Sequence, residues 1–169
     1  MPGASILPDI LRPGLDLVVC GAAAGRRSAE VGAYYAGRGN RFWRILHETG
    51  LTPRLLAPEE FRLLPDFGIG LTDLAKTASG SDAEIPRSAW DADGLRRRIE
   101  AARPCILAFN GKNAAQKFLG RSRIGYGSQN ERIGTTEIFV LPSTSGAASG
   151  YWNPEPWRDL ARLVADRRR

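Results

Sequence analysis

The apolar positions of this chain fall in short runs that are separated by polar or glycine-rich segments. Four of these runs predict strands, at residues 15–20, 67–71, 104–109 and 137–141. The first and third are almost entirely apolar, which is typical of strands buried on both faces. Capping residues and helical spacing predict helices at about residues 40–49, 58–64, 90–102, 112–119 and 153–166. The segments 21–25, 26–39, 72–86 and 121–132 are predicted to be loops.

Strands that alternate with helices along the chain favour an α/β fold with a parallel sheet and helices on both faces. With 169 residues, and with no long linker or internal repeat, the chain suits one domain over residues 1–169. Ligands of such folds bind outside the carboxyl ends of the strands. We therefore expect the small and polar residues at 21–25, 72–73, 110–112 and 143–146 to line one crevice.

The charge balance adds a candidate partner to this picture. The chain has 24 Lys and Arg against 18 Asp and Glu, a formal net charge of +6 with a pI near 9.9. All of the cations except Lys76, Lys112 and Lys117 are arginines, which bind phosphate groups in a bidentate manner. A polyanionic partner is one explanation. A GC-rich coding sequence, which also favours Arg and Ala, is the other.

Composition argues against several function classes. Cys20 and Cys105 lie in separate apolar runs and His47 is the only histidine, so we expect no metal site and no catalytic histidine. We predict His47 to be structural, and the Arg96–Arg98 run to form a solvated helix face. No apolar run approaches the roughly 20 residues that cross a bilayer. We expect no secretion signal and a cytoplasmic location.

Four segments occur together in an order and spacing typical of one family. They read CGAAAGRRSAEVGAYYAGRGNRFWRIL, GIGLTDL, FNGK and LPSTSGAAS. The set resembles the uracil-DNA glycosylase superfamily, and within it the mismatch-specific uracil/thymine branch. The resemblance spans nearly the whole chain, and residues 37–46 are its most specific part. It implies a three-layer α/β/α domain around a four-stranded, largely parallel sheet.

The resemblance also implies a reaction. We expect hydrolysis of the N-glycosidic bond of uracil in single- or double-stranded DNA, which leaves an abasic site in base excision repair. No metal or cofactor is needed, and the protein is expected to act as a monomer. Two alternatives stay open. The chain could bind damaged or abasic DNA without cleaving it, or it could release another base, such as thymine opposite guanine, hypoxanthine or ethenocytosine.

The first motif departs from the family pattern, which usually reads G-I-N-P-G with an Asn that positions the attacking water. Ala23 occupies that Asn place here and cannot orient water through its side chain. Asp73 is our predicted catalytic substitute at the end of the second strand, because a carboxylate stabilises positive charge on the sugar and can accept a proton from water. Asp73 as a turn cap, and Asn110 as the water-positioning group, are the alternatives.

Further site residues follow from the matched motifs. Tyr35 takes the place of the aromatic that stacks on the extruded base, although a core aromatic has the same pattern. Asn40 corresponds to a position near the Watson–Crick edge and is also a good helix cap. The full substrate-binding set is Gly21, Ala22, Ala23, Tyr35, Asn40, Asn110 and Ser143. The predicted DNA-binding set is Arg26, Arg27, Lys112, Ser145, Gly146 and Ala147.

The last motif predicts that the side chain inserted into the DNA stack beside the flipped nucleotide, the wedge, is a weak one. Ala147 stands where relatives carry a bulky side chain that fills the gap left by the flipped nucleotide. A small residue fills that gap poorly, so we expect little dependence on the opposite base and good activity on single strands, where flipping costs little. Tyr151 or Trp152 could supply a wedge instead, or either could be a core aromatic.

Overall fold

The computed structural model describes residues 4–168, and these form a three-layer α/β/α domain. Its strands are β1 Leu17–Ala24, β2 Ile69–Ser79, β3 Ile106–Asn110, β4 Gly127–Ile133 and β5 Thr136–Leu141. They form one sheet in the order β2-β1-β3-β5-β4. Four of the strands run parallel, and β4 pairs antiparallel with β5 at one edge. The predicted fold class is therefore confirmed, with five strands instead of the expected four.

The additional strand, β4, lies in a segment that we predicted to be a loop. It is an edge strand whose first six residues alternate between half-buried and exposed, and its last residue, Ile133, is buried. Its backbone pairs with β5, for example Ser128 with Phe139 and Ile133 with Thr136. The sequence GSQNERI contains little apolar character. Hydrophobic patterning could not identify this strand, since its pairing rests on backbone hydrogen bonds.

Strands β1 and β2 extend beyond the apolar runs that predicted them. Residues 21–24 and 72–79 were predicted to be loops, yet Gly21 pairs with Asp73 and Ala23 pairs with Ala75 in the parallel ladder. Residues of the first motif are consequently held on a strand rather than on a loop.

Five α-helices cover the two faces of the sheet: α1 Arg26–Val31, α2 Phe42–Glu48, α3 Ala92–Ala102, α4 Lys112–Leu119 and α5 Glu155–Arg167. Helix α1 replaces part of the loop predicted at 26–39, and the short helix predicted at 58–64 is a 3₁₀ helix, Pro58–Phe67. Residues of α2 and α5, such as Phe42 and Trp157, form one core with alternate residues of the strands. Helices α3 and α4 form the second core. No helix within 4–168 is long and apolar enough to cross a bilayer.

A partly buried cluster of charges joins the N-terminal segment to the edge strand β2. Lys76 Nζ lies 2.8 Å from Asp9 Oδ1, and the Thr72 hydroxyl donates to the same oxygen at 2.7 Å. Arg98 Nε lies 3.2 Å from Asp9 Oδ2, as an ion pair that is not aligned for a hydrogen bond. The Lys76 ammonium also donates to the hydroxyl of Tyr34 at 3.2 Å. One carboxylate thus balances two cations.

Arg98 corrects the prediction of a solvated arginine face. Arg96 and Arg97 are exposed, but Arg98 is half-buried and donates to the carbonyl oxygen of Asp73 at 2.9 Å. Successive residues of a helix point about 100° apart, so one member of a three-residue run can face the sheet while the others face solvent. His47 is exposed on α2.

We predict that Asp9→Asn destabilises the protein by about 2 kcal/mol, because Lys76 and Arg98 would then lie together without a counter-ion. Urea unfolding monitored by circular dichroism measures this change. Asp159→Asn is the matched control: its ion pair with Arg162 is exposed, so its loss should cost about 0.5 kcal/mol or less. Equal effects of the two substitutions would contradict a structural role for the cluster.

Candidate active site

A cleft of about 670 Å³ opens at the carboxyl edge of the parallel strands. Its walls come from the end of β1, from β2, from the turn between β3 and α4, and from residues 143–148. All of the residues that we predicted for the site line this one cleft: Gly21, Ala22, Ala23, Arg26, Arg27, Tyr35, Asn40, Asp73, Asn110, Lys112, Ser143, Ser145, Gly146 and Ala147. The topology therefore brings together segments that are up to 126 positions apart in the chain, from Gly21 to Ala147.

Asp73 lies at the floor of this cleft, within β2 rather than at its end. The strand continues to Ser79, so the alternative that Asp73 caps a turn is wrong. The residue is 4% exposed, and its backbone is fixed by the Gly21 pairing and by the bond from Arg98. Its carboxylate lies directly over Gly21, where a Cβ atom would stand 2.7 Å from Oδ1. A Cβ atom at this position would therefore force the carboxylate to move.

The surroundings of Asp73 favour its protonated form. Burial raises the pKa of its carboxyl group from 3.8 to about 6, and the negative charge of Asp9 acts in the same direction. The positive charges of Lys76 and Arg98 oppose this shift. A carboxylate with a pKa near 6 is ionised at neutral pH, and it is a stronger base than an exposed aspartate. This suits a group that accepts a proton from water.

Tyr35 contributes both its ring and its hydroxyl group to the cleft. The ring stacks on Phe42, with centroids 4.0 Å apart and planes 28° apart. The backbone is left-handed, with φ of 53°, which is uncommon for a residue with a side chain. Two contacts hold this conformation: Trp43 Nε1 donates to the Tyr34 carbonyl at 3.1 Å, and the Ala36 amide donates to Ser28 Oγ at 3.0 Å.

The Tyr35 hydroxyl reaches the floor of the cleft. A Cβ at Gly21 would stand 3.0 Å from this oxygen, next to the Asp73 carboxylate. The hydroxyl oxygen is buried and has no hydrogen-bond partner among residues 4–168. Burial raises the pKa of Tyr35, and the charge of Asp73 raises it further, so the phenol is neutral and can donate a hydrogen bond. Tyr34, in contrast, is 1% exposed and belongs to the core.

Asn110 fixes the loop that follows β5. Its Nδ2 donates to Thr144 Oγ1 at 2.9 Å, and its Oδ1 accepts from the Thr144 amide at 3.0 Å. The Arg41 amide donates to the Thr144 carbonyl at 2.8 Å, which ties the same loop to the start of α2. Asn40 lies one residue before the N-cap Arg41, and its Oδ1 accepts from the amide of Phe42, the first residue of α2, at 3.0 Å. Both asparagines therefore position the backbone, whatever they contribute to a ligand.

The rim of the cleft carries small polar residues and basic residues. Ser143 Oγ accepts from the Ser145 amide and Ser145 Oγ accepts from the Ala147 amide, both at 3.2 Å. Arg26 and Arg27 are exposed, with solvent-exposed ion pairs to Glu84 and Glu30. Exposed ion pairs contribute little to stability, so a phosphate group could replace Glu84 and Glu30 as partners of these arginines at a small cost in free energy. Lys112 Nζ lies 4.3 Å from the Tyr126 ring centroid.

Of the two proposed wedge residues, Tyr151 stands at the rim. Tyr151 is 80% exposed at the end of the 3₁₀ helix Gly146–Tyr151, and it lines the cleft. Trp152 is half-buried, with the Arg41 guanidinium 5.2 Å from the centre of its ring. Gly146 packs against the Gly39 carbonyl, so a Cβ there would lie 3.4 Å from that oxygen. The small residues of this loop allow it to pack on the segment before α2.

The sequence analysis missed the residues that set the environment of Asp73. Lys76 and Asp9 lie outside the matched motifs, and Arg98 was assigned to a solvated face. Thr144, which is 1% exposed, was passed over within the last motif although it holds Asn110. The polar pair Thr72 and Asp73, which lies between Leu71 and Leu74 in GLTDL, was the available signal for buried polar contacts at β2. Residues 4–168 contain no cluster of three or more metal-ligating side chains.

The fold and the cleft together define an α/β/α domain whose ligand site lies at the carboxyl edge of a mostly parallel sheet. The family model of the uracil DNA glycosylase superfamily matches residues 8–161, and the chain belongs to this superfamily. The fold is similar to the solution NMR structure of a Methanosarcina acetivorans protein described as a candidate uracil DNA glycosylase. That match has a TM-score of 0.62 and 22% identity, and it covers 94% of this chain and 96% of the other.

We predict that Gly21→Ala lowers the activity of this site by about 100-fold, since the new methyl group would displace the Asp73 carboxylate and misplace it for reaction. The rate of base release from a uracil-containing oligonucleotide is the measurement. Gly125→Ala is the control, because nothing lies within 4 Å of its Cβ position. Full activity of Gly21→Ala, with the fold verified by circular dichroism, would show that the carboxylate position is not critical.

Proposed function

We propose that this protein is a monofunctional DNA glycosylase that hydrolyses the N-glycosidic bond of uracil, with Asp73 as the catalytic residue. One observation carries the proposal: a carboxylate with a raised pKa lies at the floor of a cleft that could admit a nucleotide, beside the first motif of a glycosylase family. The protein would act as a cytoplasmic monomer, and the reaction would be the first step of base excision repair.

The proposed reaction requires only water and DNA. The bond between C1′ and the uracil nitrogen breaks, and its electron pair leaves with the base. The sugar then carries positive charge, which the ionised Asp73 stabilises at short range. Water adds its oxygen to C1′ and gives a proton to Asp73, from which the proton passes to solvent or to the departing base. An abasic site and free uracil result.

The rest of the cleft supports binding of an extruded nucleotide. A base stacked on Tyr35 would extend the stack that this ring already forms with Phe42. The small side chains of Ala22 and Ala23 let a base approach the β1 backbone. Arg26, Arg27 and Lys112, together with the loop 143–147, are proposed to contact the phosphates on either side of the extruded nucleotide.

Ala23 favours a second candidate function. This residue has no group that can orient water, which is consistent with a protein that binds damaged or abasic DNA without cleaving it. The two functions differ in one measurement. Release of free uracil from a labelled oligonucleotide supports the enzyme, whereas tight, salt-dependent binding with no release supports the binding protein. Comparison of thymine, hypoxanthine and ethenocytosine substrates then tests the choice of base.

We predict that Asp73→Asn lowers the single-turnover rate of uracil release by about 100-fold or more, because the neutral amide neither stabilises the sugar cation nor accepts a proton. The substitution should leave DNA binding within a few-fold of wild type. It also removes a buried charge, so we expect the urea midpoint at pH 8 to rise rather than fall. An Asp73→Asn protein that is folded and fully active would overturn the assignment.

We predict that the rate of uracil release depends on pH through Asp73. Because the ionised form is the active one and its pKa is about 6, the rate should rise about tenfold per pH unit below 6 and level off above 7. The residual rate of Asp73→Asn should lack this limb. A wild-type profile that is flat between pH 5 and pH 8, measured under single-turnover conditions, contradicts the prediction.

We predict that uracil is released from single strands at least as fast as from duplexes, since Ala147 cannot hold the duplex open. If Tyr151 fills the vacated stack in duplex DNA, Tyr151→Ala should lower the duplex rate by about fivefold or more and leave the single-strand rate unchanged. The rate on the single-stranded substrate is therefore the control for Tyr151→Ala, since it should not change. A wild-type protein that releases uracil much faster from duplexes than from single strands would contradict the prediction.

A further inference from the structure

Three arginines beside the cleft have no role in the reaction proposed above. Arg38 is exposed at the rim of the cleft, and Arg41 and Arg44 follow it at intervals of three residues. None of the three forms an ion pair with a residue of the described range 4–168, whereas Arg26 and Arg27, elsewhere on the rim, are paired with glutamates. The positive charge of this row is therefore not balanced within the described part of the fold.

A second cavity continues the cleft over the same arginines. Its volume is about 140 Å³. The residues that line it are Arg41, Arg44, Ile45, Glu48 and Trp152. Asn40 and Tyr151 line the cleft, and the residues that follow each of them in the chain, Arg41 and Trp152, line the second cavity. The two cavities are therefore neighbours, and a ligand chain that leaves the cleft on this side meets the arginines.

Arg41 is held in a position that leaves most of its guanidinium free to bind a ligand. Its Cζ lies 5.2 Å from the centre of the Trp152 ring, and its Nη1 donates to Ser149 Oγ at 3.2 Å. The other N–H groups of this guanidinium have no hydrogen-bond acceptor among residues 4–168. Trp152 in turn packs against the core that α2 and α5 form with the sheet. A side chain that is already held loses little conformational entropy on binding, and a guanidinium binds a phosphate group through two N–H groups at once.

We propose that Arg38, Arg41, Arg44 and Trp152 form a flank surface, which binds the sugar–phosphate backbone of the DNA strand on one side of the extruded nucleotide. This inference rests on the proposed function, because it extends the path of the DNA from the cleft. Arg41 and Arg44 are three positions apart and line the same cavity, so their guanidinium groups can contact neighbouring phosphates of one strand. Unpaired arginines beside an aromatic side chain are typical of surfaces that bind single-stranded nucleic acid.

Glu48 marks the far end of the flank surface. It lies one helical turn beyond Arg44 on α2 and lines the second cavity, and it forms no ion pair with a residue in the described part of the chain. A carboxylate repels a phosphate group that lies near it. The strand should therefore contact the surface between Arg38 and Arg44, and removal of the charge of Glu48 should strengthen binding.

The first test is the binding of a single-stranded oligonucleotide without uracil, which offers the protein no uracil to release. Arg44→Gln is the main variant, because Arg44 is exposed and its side chain holds no other described residue. We expect Arg44→Gln to weaken binding about fivefold, and to reduce the slope of log K against log salt concentration by about 0.7, as the loss of one phosphate contact requires. Glu48→Gln should strengthen binding instead.

Arg97→Gln is the matched control for Arg44→Gln. It removes the same charge from an exposed position on α3, which packs on the other face of the sheet, so it should change neither the affinity nor the salt slope. Equal effects of Arg44→Gln and Arg97→Gln would show that only net charge matters, and would overturn the proposal. Weaker binding by Glu48→Gln would overturn it as well.

The second test asks whether the surface binds one side of the strand. Uracil oligonucleotides are lengthened one nucleotide at a time on the 5′ or the 3′ side, and their affinities are compared between the wild type and the Arg41→Gln/Arg44→Gln double variant. The double variant should lose the gain in affinity on one side only, and a loss that is equal on both sides overturns the proposal. A wild type that releases no uracil defeats the proposed function, whereas unchanged binding by Arg44→Gln defeats only the flank surface.

Discussion

The close approach of Asp73 to Gly21 across two parallel strands is the contact on which the site depends. The pairing of β1 with β2 sets these residues side by side, and the absence of a Cβ at Gly21 leaves room for a carboxylate above the strand. The same space admits the Tyr35 hydroxyl. A site built on paired strands holds its groups more accurately than one built on loops, which suits a reaction that needs a carboxylate at a defined distance from the sugar.

Burial of Asp73 lowers the stability of the protein while it makes the carboxylate that we propose as catalytic a stronger base. The folded protein binds the Asp73 proton more tightly than the unfolded chain does, with a pKa of about 6 against 3.8. The stability that this proton provides is therefore present below about pH 4, and it is lost as the pH rises through 6. Lys76 and Arg98 limit the loss, since their charges favour the ionised carboxylate. Asp9 in turn balances the two cations, so the N-terminal segment takes part in the electrostatics of the cleft.

Another wall of the cleft is formed by three separate segments that are joined through one residue, Thr144. Thr144 binds the amide of Asn110 through its hydroxyl and backbone amide, and its carbonyl accepts from Arg41. The end of β3, the start of α2 and the last motif are thereby held together. Small residues on both sides, such as Gly39 and Gly146, let these segments touch. The side chains that we propose to bind the nucleotide thus stand on a connected polar framework.

The sequence by itself determined the fold class, the carboxyl-edge location of the cleft and the residues that line it. The fold class and the place of the cleft follow from the apolar runs that mark the central strands, and the lining residues follow from the four motifs whose resemblance to the superfamily identifies them. It did not identify β4, whose pairing rests on backbone hydrogen bonds, or the extension of β1 and β2 through residues that read as loops. Tertiary structure alone decided that Arg98 faces β2, that Asp9 meets Lys76, and that Tyr35 and Asp73 converge on Gly21. These contacts join residues that are distant in the chain, so their geometry depends on how the strands pair and how the helices pack, which no local pattern of residues encodes.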